Sequence, residues 1–160
     1  MQVSRLYRLA FKFKISKLNS KTATYTGFEF DVEGFPAVAV INKDLKDPQV
    51  QRGYTHSVFI ELMPDAYNEI GHPTQTEYDY LVEAEKKMID YLEGQTQTVH
   101  VGHITLYRML QVIFYTKEPE KAEGFLNYFL SSIERENQLE IEPDAEWEAV
   151  SAFYELLWAG

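Results

Sequence analysis

The chain has 160 residues, 45% of them apolar and 14% aromatic, enough for one buried core and too apolar for a disordered class. It has no cysteine, which excludes disulfides, thiolate nucleophiles and sulfur-ligated metals, and no apolar run approaches the roughly 18 residues of a membrane span. The formal net charge is −10 and uneven: residues 1–21 carry six basic side chains, no acid precedes Glu29, and the remainder holds 9 basic against 25 acidic residues.

Within residues 1–23, Tyr7, Leu9, Phe11, Phe13 and Ile15 alternate with polar or small neighbours, the period-two pattern of a half-buried strand. This basic stretch is expected to be a strand or arm packed on a single α+β domain spanning 24–160. Residues 27–32 alternate again, and Glu33-Gly34 leads into a second apolar run, 35–41, so a hairpin is expected with Gly34 supplying the positive φ of a tight turn. Pro36 suggests that the second strand starts at or near an edge. Residues 42–53 read as loop, and 58–63 as a short strand stopped by Pro64.

Thr74 and Glu77 have capping-box spacing after Pro73. They open a helix whose stripe is Tyr78, Leu81, Val82, Glu85, Met88, Ile89 and Leu92, and which Gly94 ends. Residues 98–104 and 110–115 are expected strands, and Pro119 starts a second helix with Ala122, Phe125, Leu126, Phe129 and Ile133 on one face. A strand over 138–142 and a helix over 145–158 complete the chain. From Val58 onward the order is β-α-β-β-α-β plus a helix, which predicts a ferredoxin-like sandwich preceded by an N-terminal β-hairpin or meander and followed by an added C-terminal helix.

Sites of chemistry are sparse. His100 and His103 lie an odd number apart, so in a regular strand they face opposite ways and cannot share one ion without a bulge; they are expected to be polar residues near strand ends. His56 and His72 stand alone beside turns. Neither Gly-x-Ser-x-Gly nor Ser-x-x-Lys occurs, and no glycine-rich loop joins a strand to a helix. The acid pairs Glu140 with Glu142 and Glu83 with Glu85 are expected on solvated surface. Phe59 and Tyr115 could occupy an open sheet face of the kind that stacks on RNA, but no basic residue accompanies them, and packing in the core or against the hairpin is expected instead.

Three stretches carry a family resemblance: Glu33-Gly34-Phe35-Pro36-Ala37; Val101-Gly102-His103-Ile104-Thr105 leading to Phe114-Tyr115; and Asp144-Ala145-Glu146-Trp147 followed by Phe153-Tyr154. Together they resemble a bacterial family of unknown function, domain of unknown function 695, over about residues 25 to 155. The resemblance implies no activity and no catalytic residues. The acidic, ferredoxin-like regulator of ribonuclease E activity B, which acts by binding a protein, is an analogy of fold and charge. Where that family tends to place an Asn-Gly type of turn, this chain has Leu106-Tyr107-Arg108. Bulky residues resist a primed turn, so a wider loop displaying Tyr107 and Arg108 at its tip is expected.

These features favour a cytoplasmic, non-catalytic protein-binding or regulatory module, contacting a basic or neutral protein through Tyr107, Arg108, Phe59 and Glu61. An acidic body disfavours nucleic acid, and no membrane, metal or cofactor is implied. One alternative is a small enzyme or ligand-binding protein whose groove lies between the sheet and the C-terminal helix, with Glu61 or Glu142 as acid or base. The other is a structural homo-oligomer paired through edge strands.

Overall fold

The computed structural model describes residues 16–17 and 24–159; the strand expected over residues 7–15 lies outside them. Among the described residues, seven strands form one antiparallel sheet: β1 (Ser16–Lys17), β2 (Tyr25–Val32), β3 (Phe35–Asn42), β4 (His56–Leu62), β5 (Thr98–Leu106), β6 (Met109–Thr116) and β7 (Asn137–Pro143), in the order β1-β2-β3-β5-β6-β4-β7. The helices described with it are the single turn α1 (Pro48–Gln51), α2 (Gln75–Gln95), α3 (Pro119–Ser132) and α4 (Ser151–Ala159). The architecture is α+β, and β4 to β7 run β-α-β-β-α-β as expected, with their strands side by side in the order β5-β6-β4-β7.

The β2–β3 hairpin closes through Glu33 and Gly34, both at positive φ (53° and 87°), which is the backbone a two-residue turn needs to follow the strand twist. β3 is not an edge strand, because β2 and β5 flank it. Pro36 is tolerated because pairing with β5 covers only Val38 to Ile41, so its missing N–H breaks no bond on that side. Residues 42–53, expected as plain loop, contain a 3-10 turn at Lys43–Leu45 and α1, each capped by the side chain before it: Asn42 accepts from the Asp44 N–H and Asp47 from the Gln49 N–H.

Alternation along β4 sends Val58, Ile60 and Leu62 to one face and Phe59 to the other, and both faces are covered. On the first face Leu81, Met88 and Leu92 of α2 and Ala122, Leu126 and Leu130 of α3 close over Val112 and Phe114. On the second, α4 and the segment before it bring Trp147, Phe153 and Tyr154 onto Phe28, Phe30, Ile113 and Tyr115. Burying each such large side chain contributes about 1.5–3 kcal/mol.

The C-terminal helix is shorter than the sequence suggests, because residues 145–150 do a different job. Tyr115 donates its hydroxyl to Asp144 (2.6 Å), which also accepts the N–H groups of Glu148 and Ala149. Trp147, in the left-handed region at φ 56°, stacks on Tyr115 at 3.9 Å and donates its indole N–H to the Tyr54 carbonyl. That corner folds the chain over before α4 begins. At the start of α2, Thr74 caps the Glu77 N–H, but Glu77 does not complete the capping box. Its carboxylate instead takes a two-pronged contact from Arg135 and the Asp65 N–H, and the Arg135 hydrogen bond holds it below the ordinary carboxylate range.

Candidate functional site

His100 and His103 do cooperate, because the strand carrying them is not regular. In β5 the register against β6 slips by one residue between His100 and Gly102, a β-bulge that turns both imidazoles toward α2. Gly102 makes the bulge possible. It sits at φ 151°, and a Cβ there would lie 1.9 Å from the Val40 carbonyl oxygen of β3, so only glycine fits. The carbonyl of His100 is taken up by the Asn42 side-chain amide at 3.1 Å.

Between the two rings lies Glu85, at the centre of the α2 stripe and only 4% exposed, rather than on solvated surface beside Glu83. Its two oxygens are divided: Oε2 contacts His100 Nε2 and Oε1 contacts His103 Nδ1, each at 2.8 Å. The outer ring nitrogens meet tyrosines, His100 Nδ1 facing the Tyr25 hydroxyl at 2.7 Å and His103 Nε2 the Tyr78 hydroxyl at 3.1 Å. The result is a five-residue chain, Tyr25, His100, Glu85, His103, Tyr78, buried in its middle and half-exposed at its ends.

Burial pushes the Glu85 carboxyl upward, but the combined pull of His103 and His100 outweighs it and holds the group at about 2. Glu85 is therefore an ionised, acceptor-only group at neutral pH. Burial, reinforced by Glu93 and Glu85, pushes Tyr25 up to about 12, and burial with Glu85 also raises Tyr78. Both phenols keep their protons. Glu85 thus accepts from both imidazoles, and the Tyr25 and Tyr78 hydroxyls lie within hydrogen-bond distance of their outer ring nitrogens. Among the described residues no cluster of histidine, aspartate and glutamate is arranged to hold a metal, and the ring nitrogens here are already engaged.

The Tyr78 end opens into a groove of about 310 Å³ between β3, β5 and the segment leading into α2, lined by Asn68, His72, Gln75, Tyr78, His103 and Thr105 with an apolar wall of Val38, Val40 and Pro73. His72, expected to be isolated, anchors that segment by donating from Nε2 to the Pro36 carbonyl at 2.7 Å.

Tyr107 and Arg108 form a two-residue turn between β5 and β6, not the wide loop expected. Only Arg108 takes positive φ (58°), and its N–H donates to the Gly71 carbonyl at 2.7 Å. The Tyr107 ring fills the space beside Gly71, where a Cβ would approach it to 2.3 Å, and packs on Phe35 at 4.1 Å. The Arg108 guanidinium lies over Tyr67 at 4.5 Å and over Tyr107 at 5.0 Å. Phe35, Tyr67, Ile70 and Tyr107 are all exposed, and an apolar hollow of about 190 Å³ opens beside them between Phe35, Ala37, Leu106 and Met109.

Phe59 and Glu61 do not join that corner. Phe59 is buried under Trp147 and its neighbours, and Tyr115 is buried with it, so neither offers a stacking face. Glu61 is buried beside Gln111, its neighbour in register, and burial raises its carboxyl against the opposing pull of the Gln111 side chain. A small groove does exist against α4, lined by Lys46, Gln51, Glu146, Tyr154 and Trp158, but it contains neither Glu61 nor Glu142.

An antiparallel sheet covered on both faces and closed by the Asp144–Trp147 corner defines an α+β domain with a buried polar chain and an exposed aromatic corner. The sequence profile of a family of unknown function, domain of unknown function 695, matches residues 25–154, and the protein belongs to that family. Comparison with curated proteins and with solved structures finds no match. No helix among the described residues is long and apolar enough to cross a membrane.

Proposed function

We propose that this protein is a non-catalytic binding module that contacts a basic or neutral protein partner through the corner formed by Phe35, Tyr67, Ile70, Tyr107 and Arg108. The observation that carries this reading is Arg108, held at positive φ in a turn of only two residues and set against two exposed aromatic rings. A tight turn places these groups with little conformational freedom left to lose on binding, and Tyr and Arg are the side chains that most often dominate interface energies. The apolar hollow beside Phe35 supplies a pocket for one anchoring side chain of the partner. The acidic body adds long-range attraction for a basic protein.

Affinity capture from the native lysate tests the reading, with three baits: wild type, Tyr107→Ala/Arg108→Ala, and Tyr128→Ala as a control at a residue 78% exposed on α3. The expected result is one partner retained by wild type and Tyr128→Ala and weakened at least about tenfold by the double variant. Equal retention by all three baits would remove the corner from consideration.

A further inference from the structure

We propose that the outer edge of β7 is a second interaction surface, which takes up an extended segment of a partner protein as an added antiparallel strand whose residues alternate apolar with basic. β7 has no part in the Tyr107–Arg108 corner, so the two surfaces stand or fall separately. It lies at the end of the sheet order with β4 on its inner side. Two bonds show which of its residues face β4: the Met63 N–H donates to the Glu136 carbonyl, and the Asp144 N–H to the Thr55 carbonyl. Bonding alternates along an antiparallel pair, so Gln138, Glu140 and Glu142 also exchange bonds with β4, while Leu139 and Ile141 turn their N–H and C=O groups outward. Among the described residues those outward groups meet no hydrogen-bond partner.

Edge strands are ordinarily blunted by lysine, an interior proline or a bulge. β7 has none of these before its end: its seven residues stay in unbroken register with β4, and Pro143 comes last. Charge is the remaining guard, and it selects. Residues 134–142 contain four glutamates and one basic residue, Arg135, which is drawn to Glu77 and Asp65. Glu134 and Glu136 are exposed where the strand begins. That field repels a second copy of the same edge and attracts a basic segment. The two faces then set the order of residues in the partner. Leu139 and Ile141 point to the face packed under α3, and Gln138, Glu140 and Glu142 to the other. Residues opposite one another in an antiparallel pair share a face. A partner residue that exchanges backbone bonds with Leu139 or Ile141 is therefore apolar, and its neighbours, on the face of the glutamates, are basic. Main-chain bonds supply the affinity and the alternation supplies the selectivity.

The probe is a capped peptide of alternating lysine and valine, long enough to cover β7. It is compared with a glutamate–valine analogue and with two N-methylated forms, one methylated on the valine nitrogens and one on the lysine nitrogens. Titration of the full chain is followed through its backbone amide resonances. We expect saturable binding of the lysine–valine peptide, with downfield shifts and slowed hydrogen exchange at the Leu139 and Ile141 amides. The glutamate–valine analogue should bind at least about tenfold more weakly. Methylating the valine nitrogens should abolish binding, and methylating the lysine nitrogens should preserve it. Ile141→Pro removes an outward N–H and no bond to β4, and should weaken binding at least about tenfold. The methylated peptides make the same test without altering the protein. Each of four results would overturn the proposal: no saturable binding, binding that leaves the Leu139 and Ile141 amides unmoved, equal binding of the glutamate–valine analogue, or loss on methylating the lysine nitrogens instead. A dimeric mass for the peptide-free protein, with both amides already slow to exchange, would give the edge to a second copy and overturn it equally.

Discussion

Glu85 shows what a single residue can cost and give in this fold. A lone carboxylate taken out of water carries a penalty of several kcal/mol, and here it is met by two imidazole contacts at 2.8 Å that also tie the middle of α2 to β5. Glu85→Gln keeps the size but offers one acceptor oxygen where two N–H groups arrive, so one histidine faces an amide NH2 instead. Destabilisation of about 3 kcal/mol at neutral pH is expected from urea titration. The pH dependence has a definite sign. The folded-state value of about 2 lies below the ordinary 4.5, so the stabilisation is fully present above about pH 4.5 and is lost as pH falls toward 2. The gap between wild type and Glu85→Gln should therefore narrow over that interval; a gap constant with pH would mean that no ionised carboxylate is stabilised there.

At the scale of elements, β5 is the strand on which the buried chain depends, and Gly102 is the residue on which β5 depends. Gly102→Ala drives a methyl group into the Val40 carbonyl of the neighbouring strand, and neither backbone can retreat without breaking the β3–β5 pairing at Val38 to Ile41. A loss of at least about 3 kcal/mol is expected. Gly94→Ala, near the end of α2 with open space around its Cβ, should instead stabilise by about 0.5 kcal/mol; thermal melting of the pair separates a steric from a general glycine effect. The same contrast explains what the sequence reveals. Apart from the single turn α1, the strands and helices from β2 to α3 are legible because alternation, the Thr74 cap and Pro119 are local signals that packing reinforces. The bulge is not, since it is completed by a carbonyl some sixty residues earlier in the chain, and without it an odd spacing puts His100 and His103 on opposite faces. Two signals were nevertheless present: a glycine inside a strand, and a glutamate at an apolar stripe position between Leu81 and Met88. The tight Tyr107–Arg108 turn is hidden from the sequence for a related reason, because Gly71, on a distant segment, makes room for the ring and accepts the Arg108 N–H.

For the domain taken as one body, the charge is strongly one-sided. Twenty-five acidic and 15 basic residues leave a net −10; among the described residues, Arg135 pairs with Glu77 and Asp65, and Lys121 with Glu118. An excess of charge of one sign repels more strongly in the compact fold than in the expanded chain, so folding is opposed by a self-energy that salt screens. Raising sodium chloride from about 0.02 to about 0.2 M at neutral pH shortens the screening length to well below the molecular diameter. The melting temperature should rise by about 2 to 4 °C, the shift that about 1 kcal/mol produces in a domain of this size. The effect should vanish near pH 4.8, where the net charge passes through zero, and that internal control distinguishes screening of repulsion from general exclusion of salt from the surface. A melting temperature that falls with salt at neutral pH would show the opposite balance, with attraction at Arg135 outweighing the repulsion spread over the acidic surface.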